Sequence, residues 1–234
     1  MKKTADEVSS LVRSVPPIIT SMLIVSVIGM NLLANKSIDT GVEWLALDGG
    51  ILLSWMTFLA LDVIVHCYGP KAGNIMSLVA IAFNLFMALV FFTASRIPGV
   101  WGESFVEGSE AVINTALDNT FAGTWFILLG SSIAFAVSSL VNNTLNYLIG
   151  QSLKRKGTFA VFAARSYIST FIAQFVDNIV FALLVSRVFF GWSMLQCFTC
   201  ALTGGAMELL FEIFFSPLGY RIARGIQDER GMAG

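Results

Sequence analysis

The chain has 234 residues, of which 56% are apolar and 12% charged, about half the charged share of an average soluble domain. Fourteen basic and fifteen acidic side chains could not cover the exterior of a soluble protein this long, and a net charge of −1 leaves no basic field to attract nucleic acid. The composition is that of an integral membrane protein.

Six apolar runs reach the roughly 20 residues that a helix needs to cross a bilayer core: residues 16–34, 50–68, 75–94, 124–149, 166–188 and 193–216. Ahead of the first, residues 1–15 are expected to be a cytoplasmic segment. Its Lys2, Lys3 and Arg13 resemble the start of a signal peptide. The apolar run that follows is too long for one, however, and Leu32-Leu33-Ala34 is a poor cleavage site. Pro16-Pro17 suits the first turn of a helix, where a missing N–H costs nothing. The second run carries Asp62 and His66 one turn apart. After the third comes a long connector with an Ile97-Pro98-Gly99 turn, Trp101 and the acids Glu103, Glu107, Glu110 and Asp118.

The fourth run holds Ser138, Ser139, Asn142, Asn143 and Asn146, and the last four of these share a face. The fifth has Gln174, Asp177 and Asn178 in one stripe, and the sixth has Glu208 and Glu212 one turn apart. Residues 217–234 read as a cytoplasmic tail. The expected fold is therefore all-α, a polytopic domain of six transmembrane helices over 16–216; the period-two alternation of a membrane barrel is absent.

Lys and Arg fall unevenly on the two sides of this arrangement. One side carries Lys2, Lys3, Arg13, Lys71, Lys154, Arg155, Lys156, Arg165, Arg221, Arg224 and Arg230, and the other only Lys36, Arg96 and Arg187. The positive-inside rule then places both termini in the cytoplasm and the acidic connector outside, in a multi-pass protein of the inner or plasma membrane.

Enzyme chemistry finds no support. Cys197 and Cys200 form a C-x-x-C inside an apolar run with no second ligand pair, and Cys67 stands alone, so packing explains them better than a metal or redox centre. There is no P-loop, and a single histidine excludes the zincin and serine-hydrolase patterns. Neither Asp62 nor Asp177 has the sequence setting of an intramembrane aspartyl protease. No catalytic residue, metal or cofactor is expected.

The polar content of the helices carries the functional signal. Ionisable groups at bilayer depth cost about 2.5–3.5 kcal/mol each on insertion scales, so they face the bundle interior or a cavity. At 1.5 Å per residue, Asp62, Asn142 and Glu208 are each expected roughly 10–12 Å from the cytoplasmic end of their runs, with Asp177 nearer the midplane. That is one polar layer shared by four helices. Carboxylates and amides among Phe, Trp and Tyr suit a flat heterocycle with N–H donors better than a bare ion. The competing explanation is interhelical hydrogen bonding that holds the bundle together.

These residues resemble a family. Leu61-Asp62-Val63-Ile64-Val65-His66-Cys67-Tyr68-Gly69 and the segment from Ser169-Thr170 through Gln174, Asp177 and Asn178 to Phe181 are similar to two signatures of the queuosine-precursor transporters, also called the vitamin uptake transporter (VUT) family. Asn31 to Lys36, Gly49-Gly50 and Ser216-Pro217-Leu218 fall where that family has such residues. The resemblance implies a six-helix importer of 7-deazaguanine bases such as preQ0, preQ1 or queuine. Asp62, Gln174 and Asp177 match polar positions of the pattern. His66 stands where many members have Glu, Asn74 where an Arg follows the Tyr-Gly, and Asn142 where Asp is usual, with Ser139 at a Gln position. Met207 replaces a Lys, and Glu208 and Glu212 are additional acids.

The expected substrate-binding set is Asp62, His66, Asn142, Asn143, Asn146, Gln174, Asp177, Asn178 and Glu208. Three classes stay open: a self-sufficient transporter, a substrate-capture subunit like the S-components that work with a separate energising module, and a membrane scaffold. S-components usually dock through an Ala-x-x-x-Ala on helix 1, which the stretch Ser21 to Gly29 lacks. The expected partners are the lipid bilayer and a small deazapurine base, with no nucleic acid; a homo-oligomer stays open.

Overall fold

The computed structural model describes residues 2–101, 108–153 and 158–229. Helix α1 (Lys2–Ser14) meets α2 (Pro17–Leu33) at a bend of 98°, which falls where Pro16 caps α2 and Pro17 takes its first position. A short hairpin, β1 (Ser37–Ile38) and β2 (Leu47–Asp48), pairs antiparallel with Ser37 opposite Asp48 and leads into α3 (Ile51–Tyr68). Gly69, at φ 82°, turns the chain directly into α4 (Pro70–Ala94). Then come α5 (Glu110–Ser152) and α6 (Phe159–Phe181), the latter extended by a π-helical segment over Ala182–Ser186 and a last turn, α7 (Arg187–Phe189). The final helix is α8 (Met194–Glu229).

Among the described residues, five helical spans are long and apolar enough to cross a membrane, and the bent α1–α2 pair makes up to six. In such a chain all backbone polar groups must be satisfied within the helices. Close packing between helices comes from small residues: a Cβ on Gly130 of α5 would stand 2.2 Å from Val185, and one on Gly219 of α8 would stand 2.7 Å from Leu59 of α3. α5 packs between α4 and α6, while α3 lies between α2 and α8. The core of Leu23, Phe58, Leu61, Ile64, Met76, Phe135 and Phe162 sits at their centre. Large apolar side chains such as Leu78, Phe86, Leu89, Leu210 and Phe214 point outward, as lipid contact requires.

Several helices run past the ends of their apolar runs. α8 does not stop at Ser216 but continues through Pro217 to Glu229, and Ala223 and Ile226 join the core. Proline has no N–H for the carbonyl four residues back. Here the Ser216 hydroxyl donates to that carbonyl, Ile213 O, at 3.1 Å, and Tyr167 Oη lies 2.6 Å from Ser216 Oγ, so the helix survives. α5 begins at Glu110, well before Thr124, so part of the acidic connector is helix; Trp101 Nε1 donates to Asp118 at 2.8 Å. α6 starts at Phe159, capped by Thr158, which moves Arg165 from the flank into the helix, where it is 9% exposed. Removing it from the basic count does not change which side has the excess. Lys154, Arg155, Lys156, Arg230, Glu103 and Glu107, which enter the orientation argument, lie outside the described residues.

Candidate functional site

The expected single polar layer divides into two sets. Glu208 hydrogen-bonds to Ser54 at the start of α3, whereas Asp62 lies eight residues further along that helix, about 12 Å away. The depth expected for Glu208 was displaced because its helix extends well beyond Ser216. One end of the bundle is marked by the hairpin, where α2 ends and α3 and α8 begin; Gln196 and Thr199 of α8 donate there to the carbonyls of Glu43 and Trp44.

The set away from the hairpin centres on Asp62, which is 0% exposed. Its Oδ1 accepts from Asn142 Nδ2 at 2.7 Å and Asn146 Nδ2 at 2.9 Å. Its Oδ2 accepts from Thr170 at 3.1 Å and from Ser166. Four donors from α5 and α6 thus fill the carboxylate. Arg165 Nε donates to Asn146 Oδ1 at 2.8 Å, and Arg165 Nη1 lies 3.1 Å from His66 Nδ1. Gly150 makes room for this guanidinium: a Cβ there would stand 2.7 Å from Arg165 Cζ. His66 and Arg165 line a pocket of about 390 Å³ with Tyr147, Gln151 and Gln227, at the end of the bundle opposite the hairpin.

The set beneath the hairpin surrounds a cavity of about 30 Å³ lined by Asn31, Asp48, Ser54, Ser131, Asp177, Asn178 and Glu208, among others. That volume is about the space of one water. Asn178 Nδ2 donates to Glu208 Oε2 at 3.1 Å, and Gly204 lets that amide approach, since a Cβ there would lie 2.9 Å from it. Ser138 donates to Asp177 Oδ1 at 2.6 Å, leaving the other oxygen of Asp177 uncommitted. Asn143 faces elsewhere and donates to Asn74 of α4 at 2.8 Å. Gln174 is fully buried between Thr170 and Asp177 along α6, and neither of its amide atoms has a partner.

Asp48 stands at the rim, outside the spanning helices, and accepts from Gly50 N at 2.8 Å. Burial pushes its carboxyl up from 3.8 to about 6, against the pull of that N–H. A carboxyl raised in this way binds more protons folded than unfolded. Its contribution to stability is complete below about 3.8 and lost as pH rises through about 6. We expect the melting temperature to fall between about pH 4 and pH 6 with a component that Asp48→Asn removes. Parallel pH profiles for the two proteins would contradict the assignment.

The family described as putative vitamin uptake transporter matches residues 48–222, three quarters of the chain and all of both polar sets except the contribution of α2. The chain belongs to that family. No curated protein and no solved structure matches it. It is a multi-pass membrane protein of a transporter family, and its helices carry the polar sets where a small molecule could be held within the bilayer.

In this member of the family the expected residues are brought together unequally. Asp62, Asn142, Asn146 and His66 share one set, Asp177, Asn178 and Glu208 the other, and Gln174 lies between them. The expected substrate-binding set left out Arg165, Ser166 and Thr170 from the first set and Asn31, Asp48, Ser54 and Ser131 from the second, although Thr170 and Asn31 lie in segments that carry the family resemblance. Thr158 is a good N-cap, and starting the helix there would have placed Arg165 nearly two turns inside it. The isolated hydroxyls offer no such signal, because Ser and Thr are common at membrane helix contacts.

Proposed function

We propose that the chain imports 7-deazaguanine bases such as preQ0, preQ1 or queuine, crossing the membrane six times with both termini in the cytoplasm. The observation that carries this reading is the convergence of Asp177, Glu208 and Asn178 on the hairpin-end cavity, with one oxygen of Asp177 uncommitted. A base edge with two N–H donors needs an acceptor of this kind, and an adjacent amide can donate to its carbonyl. In this reading Asp177 is the anchor, with Asn178, Glu208 and Gln174 completing recognition. Asp62, Asn142 and Asn146 form the scaffold behind them, and Asn143 fastens α5 to α4. His66 lines the wider pocket through which the base leaves. A small cavity at one end and a pocket of about 390 Å³ at the other suit alternating access captured open to the cytoplasm. Entry of a base would then require the hairpin end to part.

The purified protein should melt at higher temperature in the presence of one of these bases. A ligand at about one hundred times its Kd stabilises by about 2.7 kcal/mol. A shift with a non-purine vitamin alone would refute the base while sparing the transporter class. The topology has its own check. All three cysteines are buried, so introduced ones dominate labelling: Asp39→Cys and Asn119→Cys should react from outside the cell, and Ser152→Cys only after permeabilisation. The reverse pattern would invert the orientation.

A further inference from the structure

The set around Asp62 has one more acceptor than its visible protons can serve. Ser166 Oγ contacts both Asp62 Oδ2 and Glu212 Oε1, yet a serine hydroxyl has a single proton to donate. The four donors on Asp62 suit an anion, and the Ser166 proton belongs among them. The contact with Glu212 is then a hydrogen bond only if Glu212 brings its own proton and donates it to Ser166 Oγ. Otherwise lone pairs oppose each other at a site where Asp62, Ser166 and Glu212 are all 0% exposed, and buried polar groups left unpaired are costly.

Two independent observations agree. Glu212 Oε2 is buried without any partner, which an anion could hardly sustain. The charge balance also allows one anion and not two. Asp62 is answered by Arg165 through Asn146, His66 Nδ1 is already engaged with that arginine, and the remaining acid on this stretch of α8, Glu208, is held by Ser54 and Asn178. Tyr167, also facing α8, is bonded to Ser216.

We propose that Glu212 is a proton-binding site and that its proton is co-transported with the substrate. The inference rests on the transport reading above. With Glu212 protonated, the run Glu212–Ser166–Asp62 ties α8, α6 and α3 together. Loss of the proton to water sets a second anion beside Asp62 and removes the tie, and no other bond is made or broken. One helical turn along α8, Glu208 lines the substrate cavity, so parting α8 from α3 and α6 alters the substrate site at the same time.

The test places the full chain in liposomes with radiolabelled preQ0 and an imposed pH gradient. With one proton per base, an interior more alkaline by about one pH unit should raise accumulation about tenfold. Glu212→Gln should lose this response while base-for-base exchange persists. Accumulation that ignores the gradient in the wild type, or a response retained in Glu212→Gln, would overturn the proposal and leave the transporter reading standing. Should Glu212→Gln not fold, Ser166→Ala keeps both acids and removes the shared hydroxyl, and an undiminished gradient response there would be equally fatal. If the wild type neither accumulates nor exchanges preQ0, preQ1 or queuine, the substrate reading has failed, and infrared spectroscopy decides the proton separately. Loss of a protonated-carboxyl absorption at neutral pH in Glu212→Gln supports the site, and an unchanged spectrum overturns it.

Discussion

Asp177→Asn is expected to weaken binding of the base at least tenfold, about 1.4 kcal/mol, in a protein that still folds. The carboxylate has one oxygen bonded to Ser138 at 2.6 Å, and Asp177 lines a cavity shared with Glu208 and Asn178. Each charge-assisted bond from a substrate N–H is worth roughly 1.5–3 kcal/mol. The amide keeps the shape but puts a donor where an acceptor stood, so one substrate N–H would confront another N–H. A carboxylate that only braced the bundle would behave differently, lowering stability when neutralised and leaving affinity alone. Measuring affinity and the ligand-free melting temperature on one sample separates the two outcomes.

The opposite balance is expected at Asp62. Asp62→Ala leaves Asn142, Asn146, Ser166 and Thr170 without their acceptor and leaves Arg165 without the anion that Asn146 connects to it. Breaking a buried charge pair by removing one partner costs about 3–5 kcal/mol. The variant should therefore unfold at markedly lower denaturant or temperature in detergent. A stable Asp62→Ala protein that had lost substrate affinity would move the binding site to the set around Asp62.

These contrasting forecasts for two buried aspartates show what could be read from the chain. The stripes were legible because helical periodicity alone puts Asn142, Asn146 and their neighbours on one face, as it does Gln174, Asp177 and Asn178. Which stripe faces which was not. Asp62 and Asp177 look alike as single acids in apolar runs, and only the three-dimensional packing gives one four donors and the other one. The error in the depth of Glu208 came from stopping its helix at Ser216. Hydropathy falls there and Pro217 follows, yet Ser216 replaces the missing hydrogen bond to Ile213 and the helix continues. Arg165 was hidden for a related reason: a cation just before an apolar run has the same composition as a flanking charge, and its burial depends on Gly150 and Asn146 from another helix. The β1–β2 hairpin, two residues per strand, is too short for any periodic signal, although it supplies Asp48 to the cavity.

Uptake of radiolabelled preQ0, preQ1 and queuine into liposomes holding only the purified wild-type protein and its Asp177→Asn variant tests the central claim most directly. Saturable uptake of at least one base by the wild type, competed by the unlabelled base and reduced at least about tenfold at low substrate concentration in the variant, is the expected result. Uptake that appears only when a separate energising module is added, or that is the same in both proteins, would contradict it.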